Sequence, residues 1–337
     1  MWQNDLDRSL ARRGLLLGLL SMPLASLVAA AAESALVRLG ILQFGTVQWI
    51  AEVIRQHHLD ALEGVTMETR VLANTDAGRI ALMAGDDDVV VSDWLFVAAQ
   101  RAAGTPLSFA PISSALGGIM VPADSPIHGL ADLKGRKLGV AGGPVDKSWL
   151  IVQAASRATT GIDLASAAHV LYGAPPLLDA KLQQGEFDAV LTFWNFAAKL
   201  EAAGYREVIS VADCARALGL PPRLNLIGFV FHQDWAEAHR HAIDGFLAAA
   251  TTAEHLLATS PDEWTYVRPL MNAPNDALFS SLRRRFAAGI AHPSTTEEQQ
   301  TAERIFAILL KTGGTRATAG LRVLPEGIFW PTPEGRG

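Results

Sequence analysis

The N-terminal half of the chain alternates between two hydrophobic periodicities. Three segments, at 36–44, 65–72 and 89–92, have the alternating or continuous apolar pattern of β-strands. The intervening segments, 46–59 and 77–84, have the apolar spacing of amphipathic helices. This βαβαβ order predicts an α/β unit whose mostly parallel sheet is covered by crossover helices, because parallel strands need long connections.

The same alternation returns downstream. Strands are predicted at 137–141, 187–193 and 207–211, and helices at 147–159 and 177–184. From residue 234 onward the pattern is mostly helical. A chain of this length commonly forms two compact units, and no Gly/Pro/Ser-rich linker separates them. We therefore predict two α/β lobes joined by short crossings near 113–120 and 212–226.

The first thirty-two residues have the pattern of an export signal. Arg8, Arg12 and Arg13 precede an apolar run over 15–32 that contains Pro23. This pattern predicts cleavage near Ala32 and a periplasmic product, with Sec and twin-arginine export both open. A membrane anchor is the alternative, although the run is short for a spanning helix.

Composition narrows the functional classes. The 337 residues are 50% hydrophobic and 18% charged, with a formal net charge of -6, which argues against disorder and against a nucleic-acid partner. The arginines at 283–285 are interpreted as a solvated helix face. Cys214 is the single cysteine, so the chain contains no intramolecular disulfide or multi-thiolate metal site. No catalytic motif is present, and we predict neither enzymatic activity nor a cofactor nor a metal.

Two stretches carry a family resemblance. Residues 130–140 read LADLKGRKLGV, residues 180–190 read AKLQQGEFDAV, and Trp194 follows shortly after. The chain resembles the substrate-binding proteins of nitrate, taurine and alkanesulfonate ABC transporters, which have the type II periplasmic-binding fold. Members often have Trp-Glu-Pro where this chain has Trp-Asn-Phe at 194–196, which removes an acidic group from the cleft.

The resemblance implies a complete architecture. One discontinuous lobe would comprise residues 33–115 and 213–337, and the other residues 116–212. A small molecule would bind between them, and an ABC transporter permease would be the partner of a monomeric binding protein.

The candidate site lies in loops that follow strands, where ligands of α/β sheets bind. Lys147 is the strongest candidate, because it follows Gly142 and Gly143 at a helix start that favours negative charge. Thr46 is a candidate N-cap, while Trp49 could equally pack in the core and Arg223 could be an exposed loop residue. The predicted ligand-binding residues are Gln43, Phe44, Thr46, Trp49, Ser92, Asp93, Trp94, Ser113, Gly143, Asp146, Lys147, Ser148, Trp149, Trp194, Asn195 and Arg223.

These residue types predict a small anionic organic ligand. Lys147 and helix N-termini favour negative charge, and Trp49, Trp94, Trp149 and Trp194 offer stacking surface. Pyrroloquinoline quinone, a planar tricarboxylate bound by periplasmic proteins that resemble this family, is the specific candidate. An aliphatic sulfonate of the taurine type is the alternative. An enzyme similar to thiamine pyrimidine synthases is the alternative of another class, although its cysteine-rich motif is missing here.

Overall fold

A computed structural model describes residues 34–43, 45–221, 223–290 and 294–331. The predicted export signal and Phe44 lie outside the described residues. The strands are β1 Ala35–Leu42, β2 Val65–Leu72, β3 Val89–Asp93, β4 Leu107–Ser113, β5 Gly118–Val121, β6 Lys137–Ala141, β7 His169–Gly173, β8 Ala189–Thr192, β9 Arg206–Ser210 and β10 Ile227–His232.

Fourteen α-helices are assigned within the described ranges. They are α1 Val47–His57, α2 Leu59–Leu62, α3 Thr75–Ala84, α4 Trp94–Ala102, α5 Lys147–Thr160, α6 Leu164–Ala167, α7 Pro175–Gln183, α8 Trp194–Ala202, α9 Val211–Ala217, α10 Gln233–Ala238, α11 Arg240–Thr259, α12 Trp264–Val267, α13 Asp276–Ala288 and α14 Thr295–Gly313. In the part of the chain that the structure describes, no helix is both long and apolar enough to cross a membrane.

The strands form two five-stranded sheets with the same plan. The first has the order β2-β1-β3-β10-β4, and the second has the order β7-β6-β8-β5-β9. In the first sheet β10 runs antiparallel to both neighbours, and in the second β5 does. The other four strands of each sheet share one direction, which confirms the predicted α/β class with mostly parallel sheets.

The reversed strands come from the two crossings. The chain leaves β4 at Ser113 and enters β5 of the second sheet at Gly118, and it returns from β9 at Ser210 to β10 at Ile227. Because each crossing enters the other sheet at the edge where the parallel strands end, its first strand runs antiparallel to the rest. The crossings occupy the segments in which the sequence predicted them.

The C-terminal helices contact both halves of the fold. α11 packs on α1 and β1, whereas α13 packs on α8 and α14 on α5. Near the end of the chain Phe329 forms a parallel bridge with Phe109 of β4. The lobe boundaries proposed from the resemblance remain a prediction, since this region is tied to helices of both sheets.

Candidate functional site

A cavity of about 420 Å³ lies between the carboxyl ends of the two sheets. Its walls come from both halves of the fold. The lining residues are Leu42, Gly45, Thr46, Val47, Ile50, Thr75, Val91, Ser92, Asp93, Ile112, Ser113, Ala115, Leu116, Gly117, Asp146, Lys147, Ser148, Phe193, Trp194, Leu226, Ile227 and Phe286.

An ion pair joins the two halves across this cavity. Asp93 ends β3 of the first sheet, Lys147 begins α5 beside the second, and Lys147 Nζ lies 3.4 Å from Asp93 Oδ1. The same oxygen accepts backbone N–H groups of Leu95 and Phe96 at 3.0 and 3.1 Å, so Asp93 also caps α4. The carboxylate is therefore held in place before any ligand arrives.

Arg79 of α3 binds the other oxygen of Asp93. Its Nη2 donates to Asp93 Oδ2 at 2.9 Å, and its Nε donates to Ser92 Oγ at 3.1 Å. Burial alone would raise the pKa of Asp93, but Lys147, Arg79 and the backbone N–H of Phe96 hold that pKa below its ordinary value. Asp93 is thus a carboxylate shared by two cations.

Asp146 is the second carboxylate in the lining. It is the N-cap of α5, where its Oδ1 accepts the backbone N–H of Trp149 at 3.2 Å. Burial raises its pKa, against the opposing effects of Lys147 and of backbone hydrogen bonds. Gly142 lies directly above this carboxylate with φ +87°, a conformation that favours glycine.

Two helices begin at the cavity without a side-chain cap. Thr46 precedes α1, but among the described residues its side chain accepts no capping hydrogen bond, unlike its predicted role. Phe193 precedes α8 and has no polar side chain to offer. The first backbone N–H groups of these helices lack the side-chain acceptors that Asp93 and Asp146 supply at α4 and α5.

Aromatic residues form one wall of the cavity. Trp194 and Phe193 come from the start of α8, and Phe286 comes from α13. Behind them, Trp49 makes edge-on and tilted contacts with Trp194 and Phe286, at ring-centroid distances of 6.0 and 5.3 Å. Trp49 therefore supports the wall from the core.

The structure brings eight of the predicted ligand-binding residues into the lining. They are Thr46, Ser92, Asp93, Ser113, Asp146, Lys147, Ser148 and Trp194. They meet because the strands that carry them end at the same edge of each sheet. Their role as ligand contacts remains a prediction.

Seven predicted residues that the structure describes are not part of the lining. Trp94 and Trp149 are buried in one core cluster and Trp49 in another, since each lies on a helical face that packs against apolar neighbours. Gln43 and Arg223 are exposed, Gly143 and Asn195 are half-buried, and Phe44 is not described. Three of the four tryptophans expected to stack on a ligand therefore serve the core.

Sequence reasoning missed several lining residues and one neighbour. Phe286 comes from a helix far along the chain, and Ile227 comes from the strand after the second crossing. Arg79 was also missed, although its position on a helix before the Ser92-Asp93 pair was a usable signal. No local sequence pattern predicts that Phe286 lines the cavity, because its apolar spacing is that of an ordinary core residue.

The family model described as NMT1/THI5 like matches residues 62–264, which is more than half of the chain. The chain belongs to the NMT1/THI5-like family. No curated protein sequence matches this NMT1/THI5-like chain.

Solved structures similar to this NMT1/THI5-like protein share its fold. The periplasmic aliphatic sulphonate binding protein SsuA from Escherichia coli has a TM-score of 0.70 and 19% identity, covering 90% of this chain and 94% of that one. The alkanesulfonate-binding protein SsuA from Xanthomonas axonopodis pv. citri, bound to MOPS, has a TM-score of 0.65 and 19% identity, with 89% and 99% covered. The desulfurization enzyme DszB has a TM-score of 0.57 and 15% identity, with 83% and 92% covered. These likenesses confirm the two-lobed periplasmic-binding fold.

Proposed function

We propose that this protein is a periplasmic solute-binding protein that captures a small organic anion and delivers it to an ABC transporter permease. The observation that carries the proposal is the cavity itself, whose walls come from both sheets and which the Asp93–Lys147 pair crosses. A ligand held there touches both halves and can stabilise their closed arrangement, the form that a permease would recognise. The family and the SsuA neighbours support this reading.

The lining favours a ligand with one anionic end and an apolar part. Leu42, Ile50, Ile112, Leu116 and Leu226 provide an apolar surface around the polar residues of the two sheet edges. Burying such a ligand part contributes about 25 cal/mol per Å² of apolar area. An aliphatic sulfonate has this chemistry.

Pyrroloquinoline quinone has weaker support in this cavity. Trp94 and Trp149, expected to stack on its rings, are 1% and 0% exposed and cannot reach a ligand without unfolding their surroundings. Its three carboxylates would also meet Asp93 and Asp146, with Lys147 as the one cation among the described lining residues. Trp194, Phe193 and Phe286 are the aromatic surface available to it among the described lining residues.

Catalysis is the competing class, because DszB shares the fold and is an enzyme. Among the described residues no cluster of three or more His, Cys, Asp or Glu side chains is placed to hold a metal. Among the described lining residues there are Ser, Thr, Asp and Lys side chains but no histidine or cysteine. A binding function is therefore favoured over acyl or metal-assisted chemistry.

The test is a ligand screen on the protein beginning near Glu33. Thermal unfolding is measured with alkanesulfonates of increasing chain length, taurine, pyrroloquinoline quinone and inorganic sulfate. A ligand at a hundred times its dissociation constant stabilises by about 2.7 kcal/mol. We expect one organic anion to give this stabilisation and to make the protein more compact in solution scattering. If a product accumulates and the scattering profile does not change, the binding function is rejected in favour of an enzymatic one.

A further inference from the structure

The charges that line the cavity do not by themselves suit an anion. Lys147 faces two carboxylates, Asp93 and Asp146, and these three are the charged groups among the described lining residues. One cation against two carboxylates leaves a formal charge of -1, which would repel the anionic end of a ligand. Another positive charge is needed to bring the formal charge of the site to zero.

We infer that Arg79, which is not a lining residue, makes the cavity accept an anion by occupying Asp93 and so freeing the charge of Lys147. This inference rests on the proposed function. Arg79 binds Oδ2 of Asp93 at 2.9 Å, and Lys147 Nζ lies 3.4 Å from Oδ1, so the two cations use opposite oxygens of one carboxylate. With Asp93 shared in this way, Lys147 retains positive charge that an anion can neutralise.

Arg79 is fixed for this role by three contacts. Besides Asp93 it donates to Ser92 Oγ at 3.1 Å, and its guanidinium carbon lies 4.7 Å from the centroid of the Phe96 ring. Its contact with Asp76, at 3.4 Å, involves a side chain that is 83% exposed, so solvent screens it. The main electrostatic partner of Arg79 is therefore Asp93, and Arg79 acts as a positioning residue.

The test compares a charged probe with a neutral one of the same shape. The affinities of 1-hexanesulfonate and of 1-hexanesulfonamide are measured by calorimetry for wild type, Arg79→Gln and Arg79→Lys. Arg79→Gln is expected to weaken hexanesulfonate binding on the order of tenfold, since one charge is lost near the site. The sulfonamide affinity should change less than about twofold by the same reasoning. Arg79→Lys should retain most of the sulfonate affinity.

Two further variants separate a charge effect from damage to the fold. Asp93→Asn added to Arg79→Gln should restore sulfonate binding, because Asn still caps α4 while Lys147 loses its carboxylate partner. Arg38→Gln is the matched control. Arg38 pairs with Asp88 away from the cavity, with Nε 2.9 Å from Asp88 Oδ2. Breaking this pair should leave the ratio of sulfonate to sulfonamide affinity unchanged. Equal losses of both probes in Arg79→Gln, or no loss, would overturn the inference.

A ligand-free measurement keeps the inference separate from the proposed function. Urea unfolding of wild type, Arg79→Gln, Lys147→Met and the double variant gives a coupling between the two cations. Because both draw on Asp93, Lys147→Met should shift the unfolding midpoint more in the Arg79→Gln background than in wild type. Additive shifts of the unfolding midpoint would overturn the inference that Arg79 and Lys147 share Asp93. A wild type that binds neither probe would count against the sulfonate function, while this cycle would still decide whether Arg79 and Lys147 share Asp93.

Discussion

Lys147 is the residue that we propose to contact the anionic end of the ligand. It lies at the start of α5 with its side chain 20% exposed, and its partner Asp93 stays bound to Arg79 when the lysine is removed. Lys147→Ala is therefore expected to weaken binding of an organic anion by about 1.5 to 3 kcal/mol, with little effect on unliganded stability.

Calorimetry checks this prediction, with Lys199→Ala as the control. Lys199 is an exposed lysine on α8 whose Nζ lies 4.6 Å from the Phe196 ring centroid, and it is not among the lining residues. If Lys147→Ala binds every ligand as tightly as wild type does, Lys147 is not part of the site.

Among the described tryptophans Trp194 is the one that lines the cavity, and its truncation is expected to distinguish ligand classes. Trp194→Ala should reduce the affinity for a planar ligand by roughly 1 kcal/mol beyond the lost contact area, because aromatic stacking adds about that much. An aliphatic sulfonate should lose only the area contribution. Titration of both ligand types measures the difference. Trp235→Ala removes a tryptophan that stacks on His239 outside the lining, and an equal loss in that control would contradict the stacking argument.

At the scale of elements, α7 contains a buried acid that couples stability to pH. Asp179 is 6% exposed, its Oδ1 has no hydrogen-bond partner within the described ranges, and burial raises its pKa to about 7. An unfolded aspartate has a pKa of about 3.9. As pH rises from that value towards 7, the unfolded chain releases a proton that the folded protein retains. The contribution of Asp179 to stability is therefore complete below the unfolded pKa and falls as pH rises towards 7.

In Asp179→Asn the free energy of unfolding is expected to decrease less between about pH 4 and 7 than in wild type. The difference is a few kcal/mol at most, since one pKa unit corresponds to about 1.4 kcal/mol. Urea unfolding at several pH values measures it. Glu298 of α14, whose pKa burial also raises to about 7, should give a second flattening in Glu298→Gln. The exposed Asp124→Asn serves as a control, and a slope that Asp179→Asn leaves unchanged would reject a buried acid in α7.

At the scale of the whole molecule, α13 is tied to the helix that carries the aromatic wall. Arg285 donates to Glu201 of α8 at 2.9 Å and to Glu207 of β9 at 3.0 Å, and its side chain is 16% exposed. The interpretation of the arginines at 283–285 as a solvated face is wrong for this residue. The pairing helps to hold Phe286, the next residue, against Trp49 and Trp194.

Arg285→Gln should lower the free energy of unfolding by about 2 kcal/mol, because it leaves the partly buried Glu207 without its cation and removes one of the two cations that pair with Glu201. Arg284 offers a matched control, since it also pairs with Glu201 but is 57% exposed. Arg284→Gln should cost between about 0 and 1 kcal/mol, as exposed pairs do. Urea denaturation measures the free energy of unfolding of both variants. Equal decreases would show that the burial of Arg285 does not strengthen its ion pairs.

The sequence by itself determined the fold class, the crossings and most of the polar residues of the cavity lining. Strand and helix periods are local properties, so βαβ order and the loops after strands could be predicted from residues a few positions apart. Because parallel strands end at one edge, Ser92-Asp93 and Lys147-Ser148 were expected near a common cavity. The apolar run of β3 and the glycines before α5 sufficed for this.

Only the tertiary structure decided which apolar residues face the cavity and how its charges are balanced. Periodicity shows that a helix has an apolar face but not which neighbour covers it. The sequence therefore could not separate the buried Trp49, Trp94 and Trp149 from tryptophans that face a cavity. Phe286 enters the wall from α13, far along the chain. Arg79 balances Asp93 through a contact between two elements. Such contacts depend on the path of the whole backbone, which no short window of sequence specifies.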